Sequence, residues 1–356
     1  MKKTLLALAA LAATSAAFAQ SSVTLYGVVD VSVERVKGDH QVNRVSSSNL
    51  ASSRLGFKGT EDIGGGLKAN FALETAVTAD TGENGGKTAR FFDRAAWVGL
   101  AGGAGEIRLG RIDSSIGALA GDSSILGAQA YDDLKIVGTR AAGDYRRVDN
   151  AITYILPTVV QGVTAQVQYS TAATGTAGAL GAEAYGSNHG ESAGLSVKYT
   201  SGPILAGLGY LNIKDTAAGA PDNRANATLV YGGYDLGMAK VIAYFDSETG
   251  LVSTAKRTSV LGVKAIVPVT ADLTVQASVS KAKNIAGSNS GPTADDDAVI
   301  TAVKAVYKLS KRTSVYGLGT IVNNEKGIGK GIGSGPTLTA TGIVTGGIAA
   351  GVAHAF

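Results

Sequence analysis

The side chains best suited to act on a solute are four arginines and one glutamate in the first half of the chain. They are Arg54, Glu74, Arg94, Arg108 and Arg147. A guanidinium attracts anions and pairs with carboxylates, so the chemistry that these residue types favour is electrostatic. Fixed charges at a narrow opening select ions by sign and leave small solutes otherwise undiscriminated. The elements that carry these residues decide whether they meet at such an opening.

Motifs for catalysis, metal binding or phosphate binding are weak. The histidines, His40, His189 and His354, have no ligand spacing, and cysteine is absent, so we predict no metal site and no disulfide. The glycine-rich run 327–333 lacks the strand–loop–helix context of a phosphate-binding loop. The adjacent aspartates 295–297 offer too few ligands for an oxygen cage. No serine-hydrolase elbow or H-E-x-x-H motif occurs, and we predict neither a cofactor nor an enzyme activity.

Composition favours an all-β protein. The chain has 49 glycines, 13 tyrosines and one tryptophan among 356 residues, and its apolar content is 45%. A barrel wall has this composition because its apolar residues occupy alternate positions and form no long run. The 32 Lys and Arg nearly balance the 28 Asp and Glu. Since nucleic-acid binding needs clustered bases, we predict no nucleic-acid partner.

The first residues predict export from the cytoplasm. Met1-Lys2-Lys3 precedes a short run of Leu, Ala and Thr, which ends at Ala17-Phe18-Ala19. A positive start, a short apolar core and an A-x-A site indicate a Sec signal peptide cleaved after Ala19. We therefore predict residues 1–19 as the signal peptide and residues 20–356 as one exported domain.

Alternation of apolar and polar residues predicts half-buried strands. Residues 67–74, 163–170 and 273–280 each place an apolar face opposite a mainly polar face of Thr, Gln, Ser, Lys or Asn. Period two argues for strands, and we find no convincing 3.6-residue pattern after Ala19. The alternative is a secreted soluble β-protein or a β-helix, whose interior needs closely packed large aliphatics. The polar face suits a wet lumen instead, so we predict polar residues inward and apolar residues toward lipid.

Turn signals divide the chain evenly. Seven short and eight long connectors alternate and separate sixteen predicted strands from Ser22 to Phe356. Short turns on one rim and long loops on the other are typical of a bacterial outer-membrane barrel. The sequence thus predicts an all-β, 16-stranded antiparallel transmembrane β-barrel. Its first two long connectors are predicted near residues 37–48 and 77–89.

The third long connector, about residues 112–146, is the longest stretch without a strand pattern. A structureless loop of this length is uncommon in a compact domain and is usually functional. We expect it to fold into the lumen and narrow the pore. Its carboxylates are those of Asp113, Asp122, Asp132 and Asp133.

The parity of each strand selects the wall residues that face the lumen. Leu55 and Phe57 are assigned to the lipid face, so Arg54 points inward, while Glu74 and Arg108 lie on the polar faces of their own strands. An arginine on the lipid face near the midplane costs roughly 2–4 kcal/mol. That cost supports the inward assignment of the basic residues.

Two further arginines are assigned in the same way. Ile152 faces lipid, which places Arg147 inward and Arg146 on the other parity. Trp97 is assigned to the lipid face, which places Arg94 inward.

Several segments resemble a known family. They are Ser22–Asp30, Ser53–Ala69, Arg94–Leu100, Leu309–Tyr316 and Gly351–Phe356. These segments resemble the trimeric general porins of Gram-negative outer membranes, in their beta-proteobacterial form. The similarity extends over nearly the whole chain after the signal peptide.

The resemblance implies a homotrimer of sixteen-stranded barrels in the outer membrane, in contact with lipid and lipopolysaccharide. It also implies that the third long loop folds inward as a constriction. The terminal Phe356 resembles the signal read by the barrel-assembly machinery; the alternative is simply a last lipid-facing aromatic residue.

The resemblance also assigns roles at the constriction. Arg54, Arg94 and Arg147 match the family's pore-lining basic cluster, and Glu74 matches a carboxylate beside it. By its lumen parity, Arg108 extends the basic track. The loop departs from the family's pattern; Asp122 is the expected loop carboxylate, with Asp113, Asp132 and Asp133 as alternatives.

An excess of arginine at the narrowest point predicts an anion preference. We therefore expect a water-filled channel for passive diffusion of small hydrophilic solutes and ions. The alternative is a substrate-specific channel for small anions such as dicarboxylates or phosphate. A third possibility, an outer-membrane barrel enzyme such as a lipase or protease, requires a nucleophile–base pair that the scattered histidines do not supply.

Overall fold

In the computed structural model of the protein, the described residues are 22–85, 90–124, 129–143, 145–172, 191–215, 223–249, 257–285, 296–333, 335–336 and 338–356. The predicted signal peptide and His189 lie outside these residues.

The described residues form one closed antiparallel sheet. The strands are β1 Ser22–Lys37, β2 Gln41–Ser47, β3 Arg54–Gly64, β4 Leu67–Thr78, β5 Glu83–Asn84, β6 Ala95–Gly102, β7 Gly105–Asp113, β8 Arg147–Ile155, β9 Val163–Ala172, β10 Glu191–Ser201, β11 Ile204–Asp215, β12 Asn223–Asp235, β13 Lys240–Glu248, β14 Thr258–Pro268, β15 Leu273–Lys283, β16 Ala298–Lys308, β17 Thr313–Asn324 and β18 Val344–Ala355. The short strands β2 and β5 belong to loops, and the other sixteen form the wall. The barrel closes because β1 pairs with β3 on one side and with β18 on the other. The predicted 16-stranded barrel is confirmed.

Alternation along each strand sorts the side chains by face. In β15, Val279 is 52% exposed whereas its neighbour Ser280 is 2% exposed. The outer face is thus apolar, whereas the inner face carries small polar residues together with an apolar patch, including Leu211, Ile213 and Leu229, that belongs to one buried cluster with the loop. This inverted order is what a wall between lipid and a polar lumen requires.

The first two long connectors contain more strand than the sequence predicted. Within the first, β2 pairs with the end of β1, for example Val45 with Val33, after a tight turn in which the Gly38 amide donates to the His40 carbonyl at 2.9 Å. Within the second, β5 pairs with β4. The predicted connectors 37–48 and 77–89 begin where β1 and β4 end, but the next wall strands start later than predicted, at Arg54 and Ala95.

Residues 114–146 connect β7 to β8 and contain two short helices, α1 (Gly117–Ser123) and α2 (Asp133–Val137). The search for 3.6-residue periodicity missed them because they have only 7 and 5 residues. Helix α2 is delimited by its caps: the Asp132 carboxylate accepts from the Leu134 amide at 3.1 Å, and Gly138 adopts a left-handed φ of 85°. Neither helix in the described part of the chain is long and apolar enough to cross a bilayer.

Three tyrosines of the inner wall lie flat across a glycine of the neighbouring strand. A Cβ built on each glycine would approach the tyrosine ring within 2.5 Å or less. The pairs are Tyr26 with Gly56, Tyr231 with Gly207, and Tyr244 with Gly262. Each phenol then donates to a carboxylate, that of Glu74, Asp122 or Asp133 respectively. Glycine therefore gives the ring the space to reach across the wall.

Substituting Gly262 with Ala should destabilise the barrel. The new Cβ would lie 2.2 Å from Cζ of Tyr244, a buried ring that cannot move away without losing its bond to Asp133. We expect a loss of about 1–3 kcal/mol in the free energy of unfolding, measured by urea titration of the refolded protein in detergent. The matched control is Gly232→Ala in β12, where nothing lies within 4 Å of the added Cβ. If both variants lost the same stability, the Tyr244 contact would not be the constraint.

Candidate functional site

The described residues of the loop 114–146 lie inside the barrel and are bonded to the wall on several sides. The Ser115 hydroxyl donates to the Tyr210 carbonyl of β11 at 2.7 Å. The Tyr131 phenol donates to the Glu34 carboxylate of β1 at 2.9 Å, and burial with this carboxylate raises the pKa of Tyr131.

Most described loop residues are buried. Leu119 and Leu134 of the loop belong to one buried apolar cluster with wall residues such as Leu211 and Leu229. The inward-folded loop is therefore held by both polar and apolar contacts with the inner wall.

The contact with β13 contains three buried carboxylates. The Tyr244 phenol donates to Asp133 of α2 at 2.5 Å, and Glu248 accepts from the Arg140 amide at 2.7 Å. Asp133, Asp246 and Glu248 are each 1% exposed or less. Burial raises the pKa of the Asp133 carboxyl, since the charged form loses its hydration, and the hydrogen bond from Tyr244 opposes that rise.

On the opposite side of the lumen, Glu74 lies at the centre of a basic cluster. Its carboxylate pairs with Arg94 at 2.6 Å and with Arg54 at 3.5 Å, and it accepts from the Tyr26 phenol at 2.9 Å. Arg54 also donates to the Ser52 carbonyl at 3.0 Å. The structure therefore brings Arg54, Glu74 and Arg94 together, with two guanidinium groups on one carboxylate.

Arg147 continues this cluster along the wall. It pairs with Asp113 across the β7–β8 ladder at 3.1 Å. Next to it, Asp149 accepts from Arg111 at 2.5 Å and pairs with Arg90 at 2.7 Å. Arginines outnumber carboxylates in this network, as they do around Glu74.

A cavity of about 370 Å³ separates the loop from this part of the wall. Its charged lining side chains are Arg94, Lys135, Arg146, Arg147 and Asp93. The single carboxylate is already engaged, because Asp93 accepts from the Ala76 amide at 2.8 Å. Serines of the β2–β3 segment supply hydroxyl groups around the same space. The cavity is thus an opening with a clear excess of positive charge.

Asp122, the expected loop carboxylate of the site, does not line this cavity. It forms an ion pair with Lys198 of β10 and accepts from the Tyr231 phenol of β12 at 3.1 Å. Of the alternatives, Asp132 caps α2 and Asp133 binds Tyr244, and both are buried. Asp113, the last residue of β7 before the loop, is the carboxylate among these alternatives that pairs with Arg147 of the basic cluster.

Arg108 lies further along the wall, toward the rim with short turns. Its guanidinium pairs with Glu106 at 2.8 Å and lies 4.2 Å from the centre of the Trp97 ring. The assignment of Trp97 to the lipid face was wrong. Val98 and Leu100, at the other parity, are 55% and 58% exposed, and Trp97 shares the face of Glu74 through the β4–β6 register.

Sequence reasoning missed Lys135 and Arg146 as lining residues. Arg146 was placed on the outward parity of β8, but the strand begins only at Arg147, so alternation does not apply to its predecessor. Lys135 lies in α2, which had no sequence signal. In the sequence, Lys135 lies next to the loop carboxylates Asp132 and Asp133. This position does not indicate which wall of the barrel the helix faces.

A closed barrel with apolar residues outside and a charged loop inside defines an outer-membrane channel. The chain belongs to the Gram-negative porin family, whose model matches residues 6–327. It is therefore an outer-membrane protein that forms a passive channel.

The relatives that the chain matches agree with this family. It is 32% identical to outer membrane porin protein 32 of Delftia acidovorans over 91% of this chain and 90% of the relative. It is 28% identical to the major outer membrane protein P.IB of Neisseria lactamica over 93% of this chain and 96% of the relative. A solved structure of an anion-selective porin from Comamonas acidovorans superposes with a TM-score of 0.75 at 28% identity, covering 95% of this chain and all (100%) of the other.

Acidification should stabilise the contact between α2 and β13. The pKa of Asp133 in the folded protein lies above its ordinary value of 3.8. At pH values between 3.8 and the raised pKa, the folded state therefore binds more protons than the unfolded state. Stability therefore falls as pH rises through that window and increases as pH falls. Asp133→Asn keeps an acceptor for Tyr244 but removes the titrating group, so we expect a smaller gain than in the wild type when the pH is lowered from neutral toward 3.8.

The measurement is the urea midpoint in detergent across this pH range. Asp272→Asn, at an exposed short turn, is the control and should gain as much as the wild type. An equal gain in all three proteins would contradict the role of Asp133.

Proposed function

We propose that the cavity beside the loop is the narrowest part of the channel and that the channel prefers small anions. The observation that carries this proposal is the charge of the lining: four basic side chains, Arg94, Lys135, Arg146 and Arg147, against Asp93 alone. A fixed charge excess at a constriction raises the local concentration of ions of opposite sign. The similar solved structure is described as an anion-selective porin, in agreement with this proposal.

Arg54 and Glu74 have a different role in this proposal. They do not line the cavity, but the ion pairs of Glu74 with Arg94 and Arg54 hold the guanidinium groups against the wall. Charged groups at fixed positions need no reorganisation when a solute passes, so they act on it at full strength. Arg108, paired with Glu106, extends positive charge toward the rim with short turns.

The solutes are small hydrophilic molecules and inorganic ions. A substrate-specific channel for dicarboxylates or phosphate is the second candidate, favoured by the guanidinium groups and serine hydroxyls around one cavity, which can bond carboxylate or phosphate oxygens. The two candidates differ in saturation: one anion should block the conductance of a specific channel at low concentration. We assign the chain to transport and not to catalysis.

The partners proposed are two further copies of the chain, outer-membrane lipid with lipopolysaccharide, and the barrel-assembly machinery. The terminal residue supports the last of these. The Phe356 amide and carbonyl both bond to Gly27 of β1 at 3.2 Å, and the ring remains 43% exposed. The end of the chain thus completes the seam of the barrel and still presents an aromatic ring. Planar-bilayer recording tests the trimer by conductance in steps of three.

Opposite charge changes at one ion pair should move the ion preference in opposite directions. Arg94→Gln removes a positive charge from the lining and leaves Glu74 less compensated, so we expect the anion preference to fall. Glu74→Gln removes the carboxylate and should raise it. Each shift in the anion-to-cation permeability ratio should be on the order of severalfold, measured from the reversal potential in a salt gradient across a planar bilayer.

Arg312→Gln is the matched control, with the same charge change at an exposed short turn. It should leave the permeability ratio unchanged. A cation preference in the wild type would refute the proposed selectivity. A shift in the same direction in Arg94→Gln and Glu74→Gln would remove this ion pair from the constriction.

A further inference from the structure

The single tryptophan of the chain, Trp97, faces the lumen and not the lipid. It is half-buried and lies outside the apolar cluster that holds the loop to the wall. In β6 it follows Arg94 by three residues in the direction of the short turn that begins after Gly102. The ring therefore lies just beyond the charged cavity, where a solute that has passed the loop meets it next.

A guanidinium group stacks on this ring. Arg108 lies with Cζ at 4.2 Å from the centre of the Trp97 ring. Its stem passes over Gly99, where an added Cβ would lie 3.0 Å from Cγ of Arg108. The Arg108 side chain keeps 26% of its surface exposed. Because guanidinium and indole are both planar, the pair presents a flat surface to the lumen on which a further aromatic ring can stack.

A second cation faces this pair on the same side of the wall. Lys58 of β3 is opposite Ala72 of β4, and Ala72 is opposite Trp97 of β6. Two strand spacings put Lys58 and Trp97 roughly 10 Å apart at the backbone, with only the methyl group of Ala72 between them. Lys58 is exposed, and its ammonium lies 5.2 Å from the centre of the Tyr26 ring. Within the described part of the chain it forms no ion pair.

The carboxylates near this part of the wall are already bound by arginine. Glu74 is held by the guanidinium groups of Arg94 and Arg54. Glu106 pairs with Arg108 and also accepts from the Asn70 amide at 3.1 Å. The positive charge of Lys58 is therefore left for a solute.

We propose that Trp97, Arg108 and Lys58 form a binding site for small aromatic carboxylates such as benzoate. The ring of the solute continues the stack of Trp97 and Arg108, and its carboxylate accepts from the Lys58 ammonium. The flexible lysine stem lets the ammonium meet the carboxylate above Ala72. An aliphatic acid uses the cation alone, and a neutral aromatic uses the stack alone. This site depends on the proposed channel, because the solute reaches it through the lumen, and adds a substrate class to it.

The emission of Trp97 measures binding directly. Since the chain has one tryptophan, selective excitation of indole in the full protein in detergent reports on this site. The probes are benzoate, cyclohexanecarboxylate with the same charge but no aromatic ring, and benzamide with the ring but no charge. Benzoate should give a saturable change in emission with a Kd about fivefold or more below those of the other two probes.

Lys58→Gln separates the cation from the stack. It should weaken benzoate binding about fivefold and leave benzamide binding unchanged. The matched control is Lys240→Gln, which removes the same charge from the lumen face of β13, since the neighbouring Val241 is on the exposed outer face. Its Kd for benzoate should stay within about twofold of the wild type. Electrophoretic mobility without heating verifies that each variant folds.

A second measurement does not depend on fluorescence. Benzoate should reduce the chloride current through the wild type in a planar bilayer and saturate in doing so. Trp97→Leu keeps an apolar side chain but offers no ring for stacking. The current through this variant should persist, and its sensitivity to benzoate should fall about fivefold.

Three outcomes would overturn the site. Equal affinity for benzoate and cyclohexanecarboxylate would show that the ring is not recognised. Equal weakening by Lys58→Gln and Lys240→Gln would reduce the effect to the overall charge of the lumen. The third is a wild type in which benzoate changes neither the emission nor the current. A cation preference in the salt gradient would refute the proposed selectivity whatever the titration gives, whereas a failed titration in an anion-preferring channel removes this site alone.

Discussion

Inside a hydrocarbon layer, each backbone N–H and C=O must find its partner within the protein, and the rest of this structure depends on that constraint. A sheet satisfies it only by closing. Closure here depends on β1, which pairs with both β3 and β18, and on the reciprocal bonds between Phe356 and Gly27. Once the sheet is closed, every strand has one face to lipid and one to the lumen. Apolar residues such as Val279 must then lie outside, and polar residues must lie inside.

A barrel of sixteen strands is too wide to be filled by the side chains of its own wall. The loop 114–146 takes up part of this space and is held to the inner wall by hydrogen bonds and by an apolar cluster that includes Leu119, Leu134 and Leu229. Tyrosines lying across glycines reach the loop aspartates, as Tyr244 reaches Asp133 over Gly262. Asp122 and Asp133 form the anchoring contacts with β10, β12 and β13. These two carboxylates are therefore bound on the side of the lumen opposite to the basic cluster. The side that stays open faces Arg94 and Arg147 with few carboxylates of its own. Anchoring of the loop thus separates the charges and determines the positive sign of the opening.

The same alternation acts on the outer surface. Residues of β1 that face lipid are apolar until the strand reaches the headgroup level, where the parity is continued by Arg35 and Lys37. The wall therefore carries two basic regions, one in the lumen and one in the membrane interface, which share no side chains and face different solvents. Each can be altered without changing the other.

The sequence by itself determined the strands, their number and the inward face of the wall, because period-two alternation and the spacing of turns are local properties. It also placed Arg54 and Glu74 on the lumen face, since both lie within regular strands. Alternation has no meaning for residues outside the ladder. Arg146 was placed outward although it precedes β8, and Arg94, which precedes β6, was placed inward only through the wrong face of Trp97. The apolar character of Trp97 pointed to lipid, but its ring stacks on Arg108 in the lumen, a contact between strands that no single segment reveals. Which loop aspartates anchor and which approach the opening was decided by the tertiary structure alone, because that depends on the wall that each helix of the loop meets when the barrel closes around it.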